Sequence, residues 1–338
     1  MYNKAIFNIK PLGFMWNPRD PFLFCVHHND DFPRANDHFG PAASLAGRHL
    51  GQDFTIKDGW RMYHGETIPG FPAHPHRGFE TITVVLEGFV DHSDSHGAAG
   101  RYGFGDVQWM TAGSGLQHSE MFPLLNQDKG NPLELFQIWL NLPARDKFVS
   151  PHFKMLWNEQ IPKVTITDTK GKATVVTLIA GQLNGVSAPS PAPDSYAAKP
   201  ENEVAIWLIK MEPGANWTLP AAGPAVERSL YFYKGDHIEI GGVIIDNYHS
   251  AELLSEMDII IEAGTHECRM LLLQARPIAE PVAQHGPFVM NYQPEIQQAI
   301  SDFRRTGFGG WPWPRYDNVH GHETGRFARY ADGRLEKP

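Results

Sequence analysis

The sequence predicts an all-β fold of two β-barrels, followed by a short C-terminal helix and an extended aromatic tail. Three observations carry this expectation. Short runs rich in β-branched and aromatic residues recur along the chain, broken by Gly and Pro at turn spacing. The layout of the first half, a strand leading to a Gly turn and then an apolar strand, returns in the second, with Glu87-Gly88 and Lys234-Gly235-Asp236 in similar places. Only one stretch, 294–303, has helical spacing, with Pro and Glu early and apolar residues at 296, 299, 300 and 303.

Composition sets the bounds. A chain of 338 residues with 42% hydrophobic and 20% charged residues is globular and long enough for two domains. A formal net charge of −9, with no basic stripe beyond Arg304-Arg305, argues against direct nucleic-acid binding. Cys25 and Cys268 match neither a disulfide framework nor a zinc site and read as small buried side chains. Residues 1–6 lack the apolar run of a secretion signal, and no later stretch is long enough to span a bilayer. A cytoplasmic chain without a membrane partner is the expectation.

In chain order, residues 1 to about 50 read as irregular, with Val26-His27-His28-Asn29-Asp30-Asp31 a polar loop carrying surface histidines. From about 60 to 150 the pattern is β: 81–86 is β-branched between Gly78 and Gly88, and 134–140 alternates. Strands are expected again at 164–167, 174–179, 204–211, 229–233 and 270–274, with 188–200 a Pro/Ala/Ser-rich loop. Past the helix, the Trp311-Pro312-Trp313-Pro314 segment reads as a rigid arm packed on a neighbouring surface.

The chemistry concentrates between 72 and 123. In a strand, residues two apart share a face, so His74 and His76 point together, as do His118 and Glu120. If a barrel brings the two pairs together, three imidazoles and one carboxylate line one wall and make a mononuclear metal site. Pro75 suits an edge strand. Seventeen histidines make chance pairs common, but two same-face pairs within one β-rich block, each beside Gly-rich turns, make a combination. The donors suit iron, copper, nickel, manganese, cobalt or zinc, and no thiolate forces zinc. Four such ligands leave open positions on an octahedral ion and none on a tetrahedral zinc.

Glu80 shares parity with His74 and His76 and competes with Glu120 as the carboxylate. Glu120 is preferred because His118-x-Glu120 repeats the His74-x-His76 geometry. His92 reads as a turn histidine. Phe79, Gln108, Trp109 and Met110 are candidate pocket residues that orient imidazoles and control access. Arg77 would place a positive charge near the metal or pair with Glu80. The second block offers Trp217-Thr218-Leu219 and no second histidine pair, so it reads as structural.

At 74–81, 105–113 and 118–121 the chain resembles the pirin family of the cupin superfamily, with further likeness at 91–95, 137–143 and 286–291. The resemblance implies a bicupin: 1–152 a metal-binding cupin barrel, 153–290 a barrel without ligands, and 291–338 the helix and tail. It implies His74, His76, His118 and Glu120 as ligands, usually of iron, which supports Glu120 over Glu80. Residues about 35–65 look like an insertion, and the tail beyond 310 looks long.

The activity the resemblance implies is an iron-dependent dioxygenase of the quercetinase type, opening a flavonol with dioxygen and releasing carbon monoxide, with Glu120 as general base. The alternative it implies is an iron- and redox-responsive protein regulating an enzyme or transcription factor, with the aromatic arm as a docking element.

Overall fold

The structure, a computed structural model, describes residues 5–338; residues 1–4 of the opening stretch lie outside them. Strands hold 46% of the chain and helices 8%, as the all-β expectation requires. The chain divides into two compact units that are not consecutive in sequence. One holds the chain up to Cys25 with Glu159–Ala279, and the other Val26–Asn158 with Glu280–Pro338. The expected serial division is therefore interleaved at both ends. At the first, strand Ile6–Pro11 pairs antiparallel with His249–Leu253, and its backbone donors and acceptors are met there.

The unit containing Glu159–Ala279 has a seven-stranded sheet, Ile6–Pro11, His249–Leu253, Glu227–Lys234, Cys268–Ala275, Ala205–Met211, Ala173–Ala180 and Lys163–Thr167 in spatial order. A four-stranded sheet of Asn216–Leu219, Ile259–Ala263, His237–Ile240 and Val243–Asp246 shares with it one core, with Trp207, Trp217, Phe232 and Met270 at its centre. The expected strand at 164–167 is present as Lys163–Thr167, and its alternation places Val164 and Ile166 on the core.

The other unit carries the histidines. One of its sheets orders His152–Leu156, Val107–Thr111, Phe79–Glu87, Asn131–Asn141 and Phe22–Phe32; the last enters this unit at Val26. The second orders Leu335–Glu336, Phe327–Arg329, Ala99–Gly103, Phe89–Asp94, Leu116–Met121 and Gly70–His76. Gly78 makes the turn from one sheet to the other with φ +87, and a Cβ there would lie 2.0 Å from the Val289 carbonyl oxygen, so only glycine fits.

Two further expectations are corrected. The first 50 residues are not irregular, since they contain strands Ile6–Pro11, Met15–Trp16 and Phe22–Phe32. The Val26–Asp31 run is strand, with His27, His28 and Asp30 buried and Asn29 and Asp31 exposed, because its buried charged groups find partners. His27 stacks on Phe136 at 4.5 Å and sits 3.1 Å from Glu134, while Asp30 accepts from Arg61 at 3.0 and 3.1 Å and from the Tyr63 hydroxyl at 2.5 Å. The region 35–65 adds no strand, only isolated bridges such as Asp53–Tyr63.

Helix Gln293–Thr306 begins with a capping box through Glu295 and ends at Gly307 in the left-handed conformation. Beyond it the aromatic tail lies on its own barrel. Trp313 donates to the Asp94 carbonyl at 2.7 Å, His320 backbone N–H to Asp91, and Phe327–Arg329 pairs with Ala99–Gly103. The anchor is Arg101, fully buried, which donates to both Asp91 oxygens at 2.7 Å and to the carbonyls of His320, Gly321 and Thr324. Removing one partner of a buried pair strands the other charge, at a cost of about 3–5 kcal/mol. Asp91→Ala is therefore expected to lower unfolding free energy by that amount in urea denaturation; a loss below about 1 kcal/mol would contradict this anchoring role.

Candidate metal centre

The centre is built where Gly70–His76 pairs antiparallel with Leu116–Met121. The register sets His74 opposite His118 and Phe71 opposite Glu120. Between these two pairings the first strand spends three residues and the second two, a β-bulge at Pro72–Ala73. Strict alternation would turn Phe71 away from His74; the extra residue returns it to the same face. The Pro72 carbonyl, freed by the bulge, accepts from His74 Nδ1 at 2.9 Å, which fixes the proton on Nδ1 and leaves Nε2 as the lone-pair atom.

Ring nitrogens of His74, His76 and His118 lie within 4.8 Å of one another, and no other such group occurs among the described residues. The ring centroids are 4.6 Å apart for His74–His118, 4.7 Å for His74–His76 and 4.9 Å for His76–His118. His76 and His118 are buried, and His74 is partly buried. The Nε2 atoms of His76 and His118 face each other at 3.0 Å. Two imidazoles can place at most one proton in that gap. A metal–nitrogen bond of about 2.1 Å puts neighbouring ligands about 3.0 Å apart at right angles and about 3.4 Å apart in a tetrahedron. The observed separation also suits a hydrogen bond between the two rings; what fits a metal ion is the convergence of three ring nitrogens beside a buried carboxylate.

Burial pushes all three imidazoles below the usual histidine value, His74 to about 4 and the other two well below, with repulsion from neighbouring imidazoles adding to it. They are neutral at pH 7, which is the form that binds metal.

Glu120 stands slightly apart. Its Oε2 is 3.7 Å from His118 Nε2, and it does not join the close group formed by the three histidines. Thr83 donates to Oε1 at 2.8 Å and Gln137 to Oε2 at 2.5 Å. Burial raises its carboxyl above the usual range, and those two donors oppose the rise. Glu80, its rival, faces elsewhere: Thr83 lies three residues on along the strand and so on the opposite face. Glu80 instead accepts from the Trp109 indole at 3.0 Å and Thr111 at 2.8 Å.

Other sequence-nominated residues separate by parity. Phe79 packs edge-on to His76 at 5.1 Å. Gln108 accepts from Tyr102 and donates to His92 Nδ1 at 2.8 Å. Trp109, bound to Glu80, lies on the far face of that strand, and Met110 packs with Ala112 and Leu116. Arg77 does not pair with Glu80. It binds Asp302 at 2.9 Å and the Ser114 carbonyl at 2.7 Å and lies over the Phe308 ring, tying the helix to the barrel.

His92 is not the turn residue that its neighbours suggest. It is a buried strand residue directly opposite Glu120 in register, with its ring 5.4 Å from His118. It accepts from Gln108 through Nδ1, so Nε2 carries the proton toward Asp94 Oδ2 at 3.3 Å. The His92-x-Asp94 spacing had the same two-residue period as the recognised pairs. Thr83 and Gln137 were also missed, since a lone Thr or Gln in a strand carries no signal of its own.

For His74 the sign follows directly: its folded value, about 4, lies below the unfolded 6.5, so the unfolded chain binds more protons between those values. Metal-free protein is expected to hold its stability above pH 6.5 and lose it progressively toward pH 4. At pH 7, calorimetric metal titration in buffers of different ionisation enthalpy should show almost no proton release from the histidines. Release of two or three protons per metal would show that the cluster is charged.

Comparison with known proteins identifies the family. A family model described as Pirin matches residues 19–140, and one described as Pirin C-terminal cupin domain matches 206–309. Human Pirin is 36% identical over 254 residues, covering 73% of this chain and 80% of that protein. A Pseudomonas aeruginosa protein provisionally named quercetin 2,3-dioxygenase is 36% identical over 240 residues, covering 71% and 79%. The crystal structure of quercetin 2,3-dioxygenase from Acinetobacter baumannii aligns with a TM-score of 0.70 and 25% identity, covering 90% of this chain and 98% of that one. The chain belongs to the pirin family and is a bicupin.

Proposed function

We propose that this chain is a mononuclear iron(II) dioxygenase, with His74, His76, His118 and Glu120 as ligands and a flavonol such as quercetin as substrate. The observation that carries the reading is the convergence of three neutral imidazoles, two of them buried and one partly buried, beside a buried carboxylate. All four come from one strand pair. Three nitrogens and one oxygen suit iron(II), and copper, nickel, manganese, cobalt and zinc share parts of that preference. The names of the Pseudomonas and Acinetobacter relatives support the substrate class.

When bound, the iron would supply Lewis acidity and one-electron redox chemistry toward dioxygen. The protein residues do the rest. His74, with Nδ1 locked on Pro72, turns Nε2 to the other side of its ring, free to act as a ligand. Glu120, raised by burial, is poised to accept a flavonol hydroxyl proton at Oε2 and hold it there. Thr83 and Gln137 keep that carboxylate aimed along the strand toward His118. Phe79 and Trp139, 4.4 Å apart and both close to His76, keep water from that side. The reading takes the working location to be the cytoplasm, where Cys25 and Cys268 stay as free thiols. No helix among the described residues is long and apolar enough to cross a membrane.

A positioned general base contributes about 10²–10⁴ in rate. Glu120→Gln is therefore expected to retain most of its iron but lose at least 100-fold in quercetin-dependent oxygen uptake, whereas His118→Ala loses the iron itself. Full uptake in Glu120→Gln would remove the carboxylate from the reaction.

A further inference from the structure

A continuous row of rings leads from the surface to the centre. Phe54 lies 5.0 Å from His64 and 6.3 Å from Phe71; His64 lies 5.6 Å from Phe71; and Phe71 lies 6.3 Å from His74. The outer end is open, with Phe54 38% exposed and His64 exposed as well. The inner end is His74, the least buried of the three histidines. Phe71 reaches this row only because of the β-bulge.

The segment presenting the outer rings is rigidly held although it contributes no strand. Arg48 lies flat on Trp60 at 3.3 Å, binds Asp53 at 2.9 Å and caps the carbonyls of Lys57 and Trp60. Asp53 and Tyr63 exchange both backbone hydrogen bonds, at 2.8 and 3.0 Å, so Phe54 and His64 each leave the side of one paired rung. His64 is fixed in turn. Its Nδ1 lies 2.7 Å from the Gly51 carbonyl and must carry the proton there, which leaves Nε2 as a hydrogen-bond acceptor. A loop so braced to keep a phenyl ring and an imidazole in solvent is a preorganised surface.

We propose that Phe54, His64 and Phe71 form the wall that selects the substrate. It takes planar aromatic compounds bearing hydroxyl groups, with a ring against Phe54 and Phe71 and a hydroxyl donating to His64 Nε2, while the reacting end lies at His74. The proposal rests on the dioxygenase reading for its substrate class but is tested by binding. Planar rings bind aromatic side chains by offset stacking and edge contact, and an aliphatic side chain of similar bulk does not replace that geometry.

The test uses full-length, iron-loaded protein under anaerobic conditions, where no turnover occurs. Quercetin binding is measured by absorbance, with ascorbate as a non-aromatic enediol control, and oxygen uptake is measured separately. Phe54→Ala and Phe54→Leu are expected to weaken quercetin binding about tenfold and leave ascorbate binding unchanged, while Phe54→Tyr restores quercetin. His64→Phe, which keeps a ring and removes the acceptor, should weaken quercetin severalfold and have less effect on a flavone lacking hydroxyl groups. Equal quercetin affinity in wild type, Phe54→Ala and His64→Phe would overturn the wall even if oxygen uptake persists. Absence of quercetin binding to the wild type would overturn it as well. Phe54-dependent binding without oxygen uptake would uphold the wall and reject the dioxygenase reading.

Discussion

The centre depends on one antiparallel register. Gly70–His76 against Leu116–Met121 puts His74 across from His118, and everything else at the site is arranged around that pairing. A shift by one residue would turn His118 and Glu120 to the opposite face together, because side chains alternate with a period of two. The bulge at Pro72–Ala73 therefore has two effects. It keeps His74 in register with His118 while recruiting Phe71 to the inner face, and it frees the carbonyl that orients His74.

Around that pairing the barrel supplies a dry environment and a fixed frame. Burial keeps the imidazoles neutral and raises the carboxylate, which prepares one set of groups for metal and the other for a proton. The neighbouring strand Phe89–Asp94 contributes His92 from one side. The tail behind it, anchored through Arg101 and Asp91, holds that strand in place. Remote sequence thus supports the site through the back of the sheet, which explains why residues beyond 310 belong to the same compact unit as the histidines.

Much of this was legible in the sequence, and the gaps have physical causes. The strand pattern, the helix and the close meeting of His74, His76 and His118 followed from periodicity and from family likeness. Parity alone could not choose between Glu80 and Glu120. Only strand placement shows that Glu80 is held by Trp109 and Thr111, three residues out of phase with Thr83. His92 was hidden because it lies near the end of a strand, just before a real turn at 95–97, where Asp94 Oδ1 accepts from the backbone N–H groups of His96 and Ala98. The polar run at 26–31 misled because polarity predicts exposure only when partners are absent. The interleaved ends were invisible because strand partners such as Ile6–Pro11 and His249–Leu253 lie far apart in sequence.

The most direct test of the central claim is anomalous X-ray diffraction at the iron edge from crystals grown with iron(II) under anaerobic conditions. The account predicts one strong peak per chain, about 2.1 Å from nitrogens of His74, His76 and His118, with the Glu120 carboxylate turned toward it. A peak elsewhere, or none at these residues with iron in excess, would contradict the account.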